Sequence, residues 1–216
     1  DAQSHRGLAR DLAARLGATL APLGHEPVVE GEPLFPVRLE AAACPLYATA
    51  LLELEAAQAT PEEVIDLLAA LGTNAKHLAA VDASNELLHR TGQPTHAFDA
   101  ERLQGGLVVR WGRPGETLLT LDGVERRLSA EDLVIADEAG PVALAGLMGG
   151  EGTKVHAGTR RVLLESAWFD PGVVRRMAHR HGLHTDASQR FGRGADPAMA
   201  QVVRDLFVAR LQAWAG

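Results

Sequence analysis

A chain of 216 residues with a formal net charge of −7, 46% hydrophobic and 23% charged residues has the balance of a globular protein with a sizeable core, not of a disordered one. The acidic balance argues against a dedicated nucleic-acid binder, while leaving room for local basic patches on a module of a larger RNA-binding machine. A single cysteine, Cys44, excludes an internal disulfide and a cysteine metal site and fits a reducing compartment, and no apolar run is long enough to span a bilayer.

Aromatic residues make up 4% of the chain, so the core must rest on Leu, Val and Ala. The opening carries no charged-then-apolar leader, and Asp1 in place of Met reads as a cut from a longer protein. Residues 4–16 form an amphipathic helical pattern, with Leu8, Leu12 and Leu16 at helical spacing and Gly17 as its stop. Residues 20–36, rich in Pro, Gly and Glu, read as a loop or linker. Alternation predicts strands over 36–40 and 47–53. Thr60-Pro61-Glu62-Glu63 has the form of a capped helix start with a capping box, and that helix runs to Leu71. A second helix covers 78–89 and is closed by Gly92.

From Leu107 the pattern changes to short strands: 107–111, 118–121, 124–128, 132–136, 142–147 and 161–166. Asp122-Gly123 supplies a hairpin turn between two of them. Helices return over 171–181 and 197–213. The spacing predicts an α+β fold, a central β-sandwich-like sheet of mostly antiparallel strands flanked by helices, rather than alternating βαβ units. Gly146-Leu-Met-Gly-Gly150 opens no helix and so is no dinucleotide fingerprint.

Four stretches between Gly92 and Pro197 carry the chemistry. In Gly92-Gln-Pro-Thr-His-Ala-Phe-Asp99 a proline fixes the backbone ahead of His96, which is either a site residue or a structural one at a helix-to-strand junction. In Ala143-Leu-Ala-Gly-Leu-Met-Gly-Gly150 the paired glycines allow close approach of another group, or serve a turn with positive φ. In Leu163-Leu-Glu-Ser-Ala-Trp-Phe169, Glu165 interrupts an apolar strand. It points inward to a partner or ligand, or outward to water. Residues 184–196 gather small, polar and basic side chains in what reads as a loop forming a site wall. His179, His181 and His184 lie beside Arg175, Arg176 and Arg180 with the wrong spacing for a zinc pair, and no metal site is expected.

Taken in order, these stretches resemble one family: the β-subunit of bacterial phenylalanyl-tRNA synthetase, in its central editing domain. Leu121-Asp-Gly123, Asp132-Leu-Val-Ile-Ala-Asp137, Arg180-His-Gly-Leu-His-Thr-Asp-Ala-Ser188 and Arg190-Phe-Gly-Arg-Gly-Ala-Asp-Pro197 complete the series. The resemblance implies a single editing-type domain over 1–216: lead-in helix and linker to 35, strands and two helices over 36–91, and the pocket-bearing half over 92–216. It implies hydrolysis of tyrosine mischarged onto tRNA(Phe), with His96 and Glu165 as catalytic residues. Ala145, Gly149, Gly150, Thr185 and Ala187 are then substrate-binding positions, and Glu165 reads the para-hydroxyl. Mischarged tRNA(Phe) and the synthetase α-subunit are the implied partners, with no DNA and no membrane, in the cytoplasm. No cofactor is expected here; ATP and magnesium belong to the parent enzyme.

The chain departs from the family pattern twice. An arginine-bearing segment of the family pocket is replaced by Ala75-Lys-His-Leu78, leaving Lys76 or His77 as substitutes, and Gly192 stands where a glutamate is usual. A non-catalytic tRNA- or subunit-docking module, or a paralogue with a decayed pocket, is the alternative.

Overall fold

A computed structural model of the chain describes residues 3–24, 35–54 and 59–214. The first helix, α1 (His5–Leu16), starts where Ser4 Oγ accepts the Gly7 N–H at 2.9 Å and stops at Gly17, which is left-handed at φ 64°. Part of the predicted linker, 25–34, lies outside the described residues. Strands β1 (Val37–Leu39) and β2 (Leu46–Glu53) follow, then helices α2 (Glu62–Ala70) and α3 (Ala79–Thr91). The predicted capping box before α2 does not form. Pro61 occupies the cap with no side-chain bond, because the Thr60 hydroxyl donates instead to the buried Asp82 carboxylate at 2.6 Å.

Next comes β3 (Thr95–Asp99), then β4 (Leu107–Trp111), the hairpin β5 (Thr117–Leu119) and β6 (Glu125–Arg127), and β7 (Leu133–Ala136). The strand expected over 142–147 is broken into β8 (Pro141–Leu144) and β9 (Met148–Gly149). Gly146, at φ 71°, turns the chain between them. Strand β10 (Arg161–Trp168) leads into α4 (Pro171–His181), α5 (Asp186–Arg193) and α6 (Met199–Trp214). The stretch read as a loop over 184–196 is therefore mostly helix. A reciprocal capping box starts it: Thr185 accepts the Ser188 N–H at 3.0 Å while Ser188 Oγ accepts the Thr185 N–H at 2.9 Å.

These strands make a three-stranded antiparallel sheet in the order β2-β10-β3 and a five-stranded sheet in the order β1-β4-β7-β8-β9, with only the β1–β4 pair parallel. Side chains alternate across a strand, so β10 serves two cores. Leu163 and Ala167 face the five-stranded sheet in a core with Phe98, Val109, Leu133, Ile135 and Ala143. Val162 and Leu164 face the other way, packing with Ala97 against Ala83 and Leu87 of α3 and Val203 and Phe207 of α6. The layers are thus helices, small sheet, larger sheet. Each buried Leu, Val or Phe contributes roughly 1.5–3 kcal/mol against exposure.

Candidate functional site

Glu165 lies on the inward face of β10, at the centre of the small sheet. Across the ladder it stands opposite His96 of β3 on one side and Thr49 of β2 on the other. The alternation that buries Leu163 and Ala167 carries Glu165 between the two sheets, where it is 6% exposed. It does not face water. Burial pushes its carboxyl up to about 8, with a weaker downward pull from the neighbouring Tyr47 hydroxyl. At neutral pH the group is largely protonated and can both donate and accept. Burial, and then the Glu165 charge, raise the Tyr47 phenol well above its usual range. The Tyr47 oxygen is itself buried without a hydrogen bond of regular geometry.

His96 is partly buried as a residue, with its Nε2 enclosed. Burial lowers its imidazole to about 4, so the ring is neutral, and Nε2 is buried with no partner among the described residues. It meets Phe98 edge-on, with ring centroids 4.5 Å apart at 81°. On its other side lies Gly149. A Cβ built there would stand 2.6 Å from His96 Nε2 and closer still to Cε1. The glycine at 149 is required by close approach, not by positive φ. Gly150 is required likewise, because a Cβ would sit 2.5 Å from the Val142 carbonyl oxygen.

His96, Gly149, Glu165 and Ala187 line one cleft between the sheets, with Met148 and Phe191. The other three residues expected at the site stand behind its wall. Ala145 is fully buried, its N–H donating to Leu133 O at 3.0 Å. The Gly150 N–H is taken by Val142 O at 2.8 Å and so is not a donor for a developing oxyanion. The Thr185 hydroxyl donates to Leu147 O at 2.9 Å as it caps α5, tying the helix to the β8–β9 turn.

Neither Lys76 nor His77 lines the cleft. His77 borders a separate small cavity with Ala79, Val155 and Val162, on the helix side of the sheet. Among the described residues no lysine or arginine lines the cleft itself. Among the described residues no cluster of three or more metal-ligating side chains occurs; His181 Nε2 instead pairs with Asp132 Oδ1 at 3.0 Å. The Cys44 thiol, near the cleft, is pushed up to about 12 by burial and secondly by Glu165, which makes it a poor nucleophile. Two further residues stand at the site: Tyr47, which no motif contains, and Thr95, which lies within the 92–99 motif but is not singled out by it. Tyr47 reaches Glu165 through the β2–β10 register, and Thr95 lines the cleft beside His96.

A family model described as the B3/4 domain matches residues 43–216. The chain belongs to the B3/4 domain family. Relatives of this B3/4 domain named phenylalanine–tRNA ligase beta subunit include one from Anaeromyxobacter dehalogenans (strain 2CP-C), 43% identical over 100% of this chain and 28% of that protein. Another, from Leifsonia xyli subsp. xyli (strain CTCB07), is 40% identical over 99% of this chain and 26% of that protein. The relative from Gloeobacter violaceus (strain ATCC 29082 / PCC 7421) is 45% identical over 91% of the chain and 25% of its own length. The B3/4 domain thus spans about a quarter of these relatives. A crystal structure of an N-terminal fragment of the phenylalanyl-tRNA synthetase beta-subunit from Pyrococcus horikoshii covers 82% of this chain and 57% of that one. It does so at 14% identity and a TM-score of 0.46, too loosely to bear on the fold. Among the described residues no helix is long and apolar enough to cross a membrane.

Proposed function

We propose that this B3/4 domain is the editing site of a phenylalanine–tRNA ligase β-subunit, hydrolysing tyrosine esterified in error to tRNA(Phe). One observation carries the reading: a buried carboxyl, Glu165, with the Tyr47 hydroxyl as its neighbour, lines a mostly apolar cleft beside an unpartnered polar atom, His96 Nε2. A tyrosine ring entering the cleft brings a hydroxyl that Glu165 can bind as donor or acceptor. Phenylalanine brings none and leaves the carboxyl's remaining hydrogen-bonding capacity desolvated and unmet, a penalty of about 1–3 kcal/mol. Sites built to bond a hydroxyl reject its absence far more strongly than apolar pockets reject its presence.

The chemistry rests on placement. Water adds to the ester carbonyl, the bond between acyl carbon and ribose oxygen breaks, and the ribose oxygen takes up the proton as tyrosine leaves. Neutral His96 orients the water, since its free Nε2 can accept or donate one hydrogen bond and holds no charge to neutralise. The reading makes tRNA(Phe) and the synthetase α-subunit partners of the whole protein, needs no cofactor in this domain and places it in the cytoplasm. The test is deacylation of tyrosyl-tRNA(Phe) by the full-length enzyme carrying Glu165→Ala or His96→Ala. A loss of tenfold or more is expected for each. Unchanged rates would overturn the assignment in favour of a docking module with an idle cleft.

A further inference from the structure

Helix α5 has two working faces. Ala187 and Phe191, one turn apart, look into the cleft, while Arg190 and Arg193 line a second, larger cavity of about 380 Å³ on the opposite side. Its remaining walls come from α1, the turn between α3 and β3, and the segment joining α5 to α6. In a chain of net charge −7 this cavity gathers three arginines, Arg10, Arg190 and Arg193, against a single carboxylate, Asp196. Arg190 is 9% exposed and held rigidly, donating to the Asp186 carboxylate at 2.7 Å and to Asp186 O at 3.0 Å. Arg10 and Arg193 make no ion pair among the described residues, and Asp196 spends one oxygen capping the Ala198 N–H at 3.0 Å.

Gln93 lines the same cavity and is 1% exposed. Its amide nitrogen donates to Ala167 O at 2.8 Å and Pro94 O at 3.0 Å, which fixes the amide's orientation. Oε1 is then left buried with no partner among the described residues. Guanidinium groups call for an anion; an orphaned carbonyl oxygen calls for an N–H or O–H donor. A phosphodiester group by itself, having no O–H, supplies only the first. A nucleotide supplies both, through its phosphate and through a ribose hydroxyl or base amine.

We propose that this cavity binds a phosphodiester-linked nucleotide near the 3′ end of the RNA whose esterified terminus enters the cleft, with Arg10 and Arg193 on phosphate and Gln93 Oε1 on a sugar or base donor. The inference rests on the editing reading for its RNA, and α5 is the wall that the two sites share. It is tested by titrating the full-length protein with the single-stranded trinucleotide cytidine-cytidine-adenosine over a range of salt. Arg10→Ala/Arg193→Ala is expected to weaken binding tenfold or more and to shrink the slope of log affinity on log salt by about 1.4, roughly 0.7 for each of the two lost contacts on single strands. Both side chains are exposed, and an unchanged melting temperature verifies folding. Unchanged affinity in the arginine variant overturns the proposal, as does inorganic phosphate binding as tightly as the trinucleotide. Arginine-dependent RNA binding without tyrosyl-ester hydrolysis leaves the cavity assignment standing and removes the editing one.

Discussion

Replacing Gly149 with alanine is the sharpest probe of the cleft. The added methyl falls 2.6 Å from His96 Nε2 and nearer still to Cε1, where ordinary contact begins at 3.4 Å, so the ring must retreat by more than about 0.8 Å. It has nowhere easy to go: Phe98 holds its other side, and the β3–β10 register fixes its backbone opposite Glu165. Overpacking of this kind costs about 1–3 kcal/mol. At about 2–4 °C per kcal/mol for a domain of this size, the melting temperature drops by about 2–12 °C. Tyrosyl-tRNA(Phe) deacylation falls at least tenfold, because His96 and the cleft volume are displaced together. Gly152→Ala is the control, since a Cβ there meets nothing within 4 Å. A double variant, Gly149→Ala/His96→Ala, should regain part of the lost stability by removing the obstructing ring. If Gly149→Ala melts with the control and deacylates normally, His96 is not packed where the site requires it.

Glu165→Gln tests the buried carboxyl. The folded protein keeps its proton to about pH 8 while the unfolded chain releases it near 4.5, so wild-type stability falls as pH rises across that window and levels above it. The glutamine variant loses this slope and is more stable at pH 8.5 by on the order of a few kcal/mol. Urea midpoints between pH 6.5 and 8.5 measure the difference free of His96, whose lowered value makes stability fall as pH drops from 6.5 to about 4. A flat wild-type profile contradicts the assignment. Thr185→Val removes both the α5 cap and the tie to Leu147 O, costing about 0.5–2 kcal/mol in thermal unfolding, and Thr185→Ser recovers most of it. Asp82→Ala strips the Thr60 hydroxyl and Lys76 N–H of their shared acceptor and destabilises by about 1–3 kcal/mol; a midpoint equal to wild type would deny that linkage.

Much of the architecture was legible because local chemistry agreed with the final fold. Gly17 closes α1 and Gly182 closes α4, stops visible in the chain, while the Ser4 and Asp170 caps that open them came with the structure. Where a residue had two possible partners the outcome was hidden. Thr60 could cap α2 or bind Asp82, 22 positions away, and only tertiary structure decides between them. The stretch 186–193 read as a loop for want of Leu and Val, yet a capping box and the Ala187–Phe191 spacing sufficed for a helix. Glu165 stood out as a polar residue in an apolar strand, and His96 as a histidine behind a proline at a helix-to-strand junction, without the strand β3 that carries it being read. Their juxtaposition is a matter of register between strands some 70 positions apart, which no local pattern encodes. Tyr47 was unremarkable for the same reason.

Strand β10 is the middle strand of its sheet, and its neighbours β2 and β3 touch each other nowhere in the strand order. During synthesis, residues 46–53 and 95–99 leave the ribosome long before residues 161–168 can join them. Until then both are bare edges, open to pairing with other chains. Long-range closure of this kind is slow and leaves such edges exposed meanwhile. The strand that brings the carboxyl is therefore also the one that ends this vulnerable interval, so the cleft cannot exist in a half-made domain.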